Sequence, residues 1–100
     1  MTHYRKLVRD NIPDILDSRG VPYTKHIANE AEYKQELIKK LLEEAGEFAE
    51  ATSVVELADV LEVVMALQAL PEYTDLERVR AEKRAERGAF EKRLILEGDK

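Results

Sequence analysis

From Val54 to Leu67 the chain places Val54, Leu57, Val60, Leu61, Val63, Val64, Met65 and Leu67 where, at about 100° per residue, they cover well over half of a helix's circumference. A helix lying on the surface of a domain needs only one apolar stripe. This segment must therefore be buried on several sides, and a chain of 100 residues has little other mass with which to cover it. Ser53 followed by Glu56 reads as a capping box at its start, and Pro71 sets its end near Leu70. Ahead of it, Asn29 and Glu32 make a similar signature, opening a long helix from about Glu30 to Ala51. The apolar stripe of that helix is Leu37, Ile38, Leu41, Ala45, Phe48 and Ala49. The turn between the two helices is short, which predicts an antiparallel hairpin. The width of the second arm predicts a homo-oligomer, a dimer or tetramer in which hairpins associate as a four-helix bundle.

The remaining punctuation is clear, and no linker, low-complexity tract or repeat divides the chain, so residues 1–100 are expected to be one mainly α domain. In "RDNIPDILDSRG", Asp10 or Asn11 caps a short helix that tolerates Pro13 in its first turn and stops at Gly20. "VPYTKHIA" has strand formers beside a proline and suggests an edge strand. "DLERVRAEKRAERG" reads as a further helix with Thr74 or Asp75 as cap and Gly88 as stop. The apolar run in "AFEKRLILEG" suggests a second strand, so a small two-stranded β element is expected beside the helices. A net charge of −5 argues against binding polymeric nucleic acid across a broad face, while leaving room for a local basic pocket. There is no cysteine, hence no disulfide and no thiolate metal site. No apolar run of signal-peptide type opens the chain, and none reaches the roughly 18 residues of a membrane span. The expectation is a cytoplasmic protein without membrane attachment.

Acidic residues interrupt the apolar surfaces of the hairpin. Glu44 lies beside Leu37 and Phe48 in helical projection, and Glu47 follows one turn later. On the second arm Glu56 falls inside the apolar arc, with Asp59 one turn on at its border. Two pairs at this spacing can face each other across a hairpin. Burying four mutually repelling carboxylates costs on the order of several kcal/mol each unless positive charge compensates. No lysine or arginine lies between Glu43 and Val64, so a divalent cation is the simplest counter-charge. All-oxygen ligation suits Mg²⁺ or Mn²⁺ rather than zinc. The plainer alternatives are that Glu56 only completes the Ser53 capping box and that Asp59 pairs with a lysine. Glu43, Glu50 and Glu62 read as ordinary solvated residues, Glu43 being close enough to support a ligand from behind. His3 and His26 lack metal-ligand spacing and are assigned structural or surface roles.

"EEAGE" followed by "ELAD" resembles the E-x-x-E and E-x-x-D signature of the MazG-like all-α nucleoside triphosphate pyrophosphohydrolases. "KLVRDNIPDIL", "VVELADVLEVVMAL" and "KRAERGAFEKRLIL" are similar to a small phosphoribosyl-ATP pyrophosphohydrolase-like subgroup, so the likeness covers nearly the whole chain. It implies a Mg²⁺-dependent oligomeric enzyme that hydrolyses an NTP or dNTP to NMP and pyrophosphate, with Glu44, Glu47, Glu56 and Asp59 at the metal-ligand positions. The eight residues separating Glu47 from Glu56 are fewer than in typical MazG domains, as in the subgroup. Arg87, Gly88, Ala89 and Phe90 stand where a second glycine is expected.

This chemistry needs metal ions, a proton acceptor and cations for the polyphosphate. Glu47 or Glu44 is the candidate base, and Lys6, Arg9, Arg87 and Lys92 are the candidate substrate-binding cations. Phe48 reads as core. The alternatives are a phosphoribosyl-ATP pyrophosphohydrolase and, in a different class, a non-catalytic helical assembly module.

Overall fold

A computed structural model describes residues 4–99; His3 lies outside them. Four α-helices follow in order, α1 (Ile12–Ser18), α2 (Glu30–Ala51), α3 (Val54–Gln68) and α4 (Leu76–Arg87), with a short 3₁₀ turn at Pro71–Tyr73. The protein is mainly helical. The chain divides into two units, described residues 4–67 and 68–99. Among the described residues no helix is long and apolar enough to cross a membrane.

In the first unit, α1 begins after Asn11 with Pro13 in its first turn, though the Asn11 side chain makes no capping bond. Its end is well defined. Gly20 adopts φ +69, its N–H donates to Asp17 O at 3.1 Å, and Val21 N–H donates to Leu16 O at 3.0 Å. This paired arrangement satisfies two carbonyls that the helix leaves open, and the left-handed position suits a residue without Cβ.

The hairpin forms as predicted. Asn29, with extended backbone, accepts from Glu32 N–H at 2.9 Å, and Glu30 and Glu32 place negative charge at the helix's positive end. Only half of a reciprocal box is seen, because the Glu32 carboxylate turns instead to Arg5 and to His26 Nε2, the latter at 3.0 Å. Thr52 ends α2 in the left-handed region at φ +50, its N–H donating to Phe48 O at 2.7 Å. A β-branched residue is strained there, so a two-residue reversal is held at some cost. Ser53 Oγ then accepts from Glu56 N–H at 3.3 Å and starts α3. That helix stops two residues before the expected Leu70, which is extended at ψ 144 as a residue preceding proline prefers.

Tyr33, Leu37, Lys40 and Glu44, ascending α2, share one groove with Ala66, Val63 and Asp59, read in descending order along α3. The arms are thus antiparallel. The buried apolar residues are Leu37 and Val63, with Leu41, Phe48, Val60, Val64 and Leu67 half-buried. Ile38, Ala45 and Ala49 of the expected α2 stripe are exposed. On α3, Val54, Leu57, Leu61 and Met65 remain exposed, Val54 by 80%, so the first arm leaves much of the broad arc uncovered.

In the second unit α4 follows Asp75, whose side chain makes no capping bond, and ends at Gly88 with φ +84. No residue of α4 is buried. Arg84 and Arg87 sit in its last turn, where positive charge suits the helix dipole.

The two expected strands do not form, and no strand occurs among the described residues. Pro22 has no N–H to give to a ladder, and Tyr23 spends its hydroxyl on Asp17 Oδ1 at 2.8 Å and Pro13 O at 3.3 Å. Leu94, Ile95 and Leu96 are exposed in an irregular tail. The aromatic and branched residues that suggest strands express a fit to a packed, pleated surface, and alone they do not create one.

Candidate metal centre

Three of the four predicted ligands converge. Glu44 on α2 and Glu56 and Asp59 on α3 each offer a carboxylate oxygen, and these oxygens all lie within 4.8 Å of one another. Glu56 and Asp59 reach the same place because they are one helical turn apart, and the antiparallel crossing brings Glu44 opposite. Glu44 is 7% exposed, and its Oε2, like Oε2 of half-buried Glu56, is buried without a hydrogen-bond partner. An unpaired buried carboxylate oxygen is costly, and a positive partner at either atom would relieve that cost. For Glu56 the capping relation is real in its N–H, bonded to Ser53 Oγ, yet its carboxylate oxygen is left over.

Glu47 is exposed and stands outside the converging set. Its charge is nevertheless felt: burial, then Glu47, push the Glu44 carboxyl above its ordinary value of 4.5, with Asp59 adding to the push and Lys40 opposing it.

Two cations from outside the Glu43 to Val64 window partly compensate the cluster. Arg9, in the segment before α1, places Nη2 2.7 Å from Asp59 Oδ1. The cation beside Asp59 is therefore an arginine and not the lysine of the plainer alternative. Lys40, one turn before Glu44, holds Nζ 3.5 Å from Glu44 Oε1 and 3.7 Å from Glu43 Oε1. Sequence reasoning misses Lys40, although its spacing of four from Glu44 is a readable signal. Two cations, one of them shared with Glu43, stand against the three converging carboxylates and leave a negative excess, and a donor set made only of carboxylate oxygens suits a hard cation.

Glu44 and Asp59 of the cluster line a groove of about 510 Å³. Leu7, Ile12, Ile15, Tyr33, Leu37 and Val63 give it an apolar wall, while Arg9, Lys40, Glu44 and Asp59 give it a charged end. Glu62 also lines it, and Glu43, Glu50 and Glu62 are exposed as expected of solvated residues.

Of the other candidate cations, Lys6 is exposed, lies 6.0 Å from the Tyr4 ring centre and lines a different groove. Arg87 and Lys92 are exposed residues of the second unit. Thus only Arg9 of the four is brought to the carboxylates within the first unit. Compared with known proteins, the chain matches no family model, no curated protein and no solved structure.

Proposed function

We propose that the protein is a Mg²⁺-dependent nucleoside triphosphate pyrophosphohydrolase of MazG-like type, a cytoplasmic homo-oligomer that converts an NTP or dNTP to NMP and pyrophosphate in a housecleaning role. The observation that carries this reading is the partnerless, buried Oε2 of Glu44, converging with Glu56 and Asp59 beside a groove that pairs an apolar wall with charged side chains. Glu44, Glu56 and Asp59 would hold the ion, Mg²⁺ or Mn²⁺. When bound, it neutralises phosphate oxygens and lowers the pKa of a coordinated water. Glu47, exposed one turn from Glu44 and outside the converging set, would take the water's proton, with Glu44 as the alternative base. Arg9 holds phosphate oxygens at the groove, and Lys6, Arg87 and Lys92 are further candidate contacts for the polyphosphate. The exposed stripe of Val54, Leu57, Leu61 and Met65 would be covered when two hairpins assemble as a four-helix bundle.

Pyrophosphate release from a panel of standard and damaged nucleotides, with phosphoribosyl-ATP included, tests the reading. Release that requires Mg²⁺ supports it, and the preferred member of the panel names the substrate. A second reading is favoured by the Arg9 to Asp59 and Lys40 to Glu44 pairs: a non-catalytic helical assembly module whose acids are neutralised internally. It predicts no release with any nucleotide. Sedimentation tests the assembly that both readings share, and a stable monomer at micromolar concentration contradicts the bundle in either one.

A further inference from the structure

We propose that Arg9 is the exchangeable counter-ion of the acidic cluster: its guanidinium holds Asp59 in the metal-free protein, and a divalent cation arriving at Asp59 releases it to grip an anionic ligand. The inference rests on the reading of Glu44, Glu56 and Asp59 as a cation site. That reading has support beyond the clustering of acids, since the Glu44 side chain is nine-tenths buried and its Oε2 is unpartnered.

The Arg9 contact spans 50 residues of sequence, so it belongs to the tertiary structure of the site and not to a helix surface. Both Arg9 and Asp59 line the groove. The Arg9 side chain is 58% exposed and that of Asp59 34%. The arginine can therefore leave with little unpacking. Its backbone is anchored, because Arg9 O accepts from Ile12 N–H at 3.1 Å at the entrance to α1, so the side chain moves about a fixed root. Lys40 differs in span and in exposure. It sits on the same helix as its partner, and its side chain is only 19% exposed. Lys40 is part of the wall, whereas Arg9 is a removable plug.

Asp59 cannot serve both cations well. Mg²⁺ binds carboxylate oxygen at about 2.0 to 2.1 Å, so at either Asp59 oxygen it stands close to the guanidinium held 2.7 Å from Oδ1 and repels it. Once displaced, the guanidinium stands beside added positive charge on the groove lining, with its planar fork matched to phosphate oxygens. Binding is then ordered, metal before anion, and the two are coupled through one side chain.

Calorimetric titration of Mn²⁺, followed by inorganic pyrophosphate into the Mn²⁺-equilibrated protein, tests this with Arg9→Gln. The variant should bind Mn²⁺ about two- to five-fold more tightly, the scale of a lost competing surface ion pair. Its Mn²⁺-loaded form should bind pyrophosphate about ten-fold more weakly. Arg5→Gln removes the same charge from the same segment, but Arg5 pairs with Glu32 and Glu36, so Mn²⁺ affinity should not change. Unchanged or weaker Mn²⁺ binding by Arg9→Gln, or equal tightening by Arg5→Gln, overturns the role given to Arg9 while leaving the cation site standing. Absence of Mn²⁺ binding by the unmodified protein at millimolar concentration overturns the cation site and the exchange together.

Discussion

The α2–α3 hairpin and α4 are both rich in charge, and they treat it in opposite ways. On α4, Arg78 bonds Asp75 at 2.8 Å and Glu82 at 3.0 Å, and Arg80 bonds Glu77 at 2.9 Å, all three or four residues apart and all in solvent. In the hairpin, Glu44 is buried with an oxygen unpaired, and Asp59 finds its cation from a segment 50 residues away. The local pairs follow from helix geometry and contribute little. The long-range pair and the unpaired oxygens persist although the chain could have used apolar residues there. The residue types are the same in both places, and burial together with distance along the chain separates a solvated helix face from a candidate site.

The largest contrast should appear in packing. Leu37→Ala removes one of the two buried apolar side chains and should cost about 2 to 5 kcal/mol in chemical denaturation. Val79→Ala on the exposed α4 should stay within about 0.5 kcal/mol. Equal costs would mean that α4 is as deeply packed as the hairpin.

The next contrast is in pH dependence. The Glu44 carboxyl is raised above 4.5 by burial, Glu47 and Asp59. For this group the metal-free folded state is favoured most below the unfolded value, and stability falls as pH rises through the raised folded value. Glu77 is the reverse case. Its hydrogen bond from Arg80 lowers its pKa, so its small contribution is present above the ordinary value of 4.5 and is lost as pH falls through the lowered one. Melting in the presence of chelator should show Glu44→Gln gaining on the unmodified protein as pH climbs from acid to neutral. A constant difference contradicts the burial argument.

Smaller effects separate the helix starts. Asn29→Ala removes a formed cap and should cost about 1 kcal/mol. Arg78→Gln on α4 breaks two solvent-exposed pairs and should leave the melting temperature unchanged within error. A larger loss for Arg78→Gln would show that the α4 pairs do more than decorate a surface.

Much of the hairpin and its site is legible in the amino-acid order alone. Asn29 caps α2, Gly20 and Gly88 follow α1 and α4 at positive φ, and α4 starts after Asp75 although that side chain makes no capping bond, so the expected boundaries of α1, α2 and α4 agree with the structure. The meeting of Glu44, Glu56 and Asp59 is legible because helical periodicity in a tight hairpin determines which turns face each other. Glu47 fails that test: three residues past Glu44 turns a side chain by about 60°, enough to pass from buried to exposed. Strands near Val21 and Leu94 are suggested by residue type and absent from the fold, because strand formation depends on a partner that composition cannot reveal. Arg9 is recognisable as a candidate cation, but no spacing rule pairs it with Asp59 across half the chain.

Glu56→Gln in a Mg²⁺ titration, with pyrophosphate release and metal-free melting both followed, bears most directly on whether the buried acids are ligands. Glutamine can still occupy that position of a capping box, but it removes an anionic oxygen donor. Activity should fall about 10-fold or more with a raised Mg²⁺ requirement, while metal-free stability stays level or rises because one of several repelling carboxylates is neutralised. Unchanged activity with unchanged Mg²⁺ dependence would show that Glu56 is a capping residue and not a ligand.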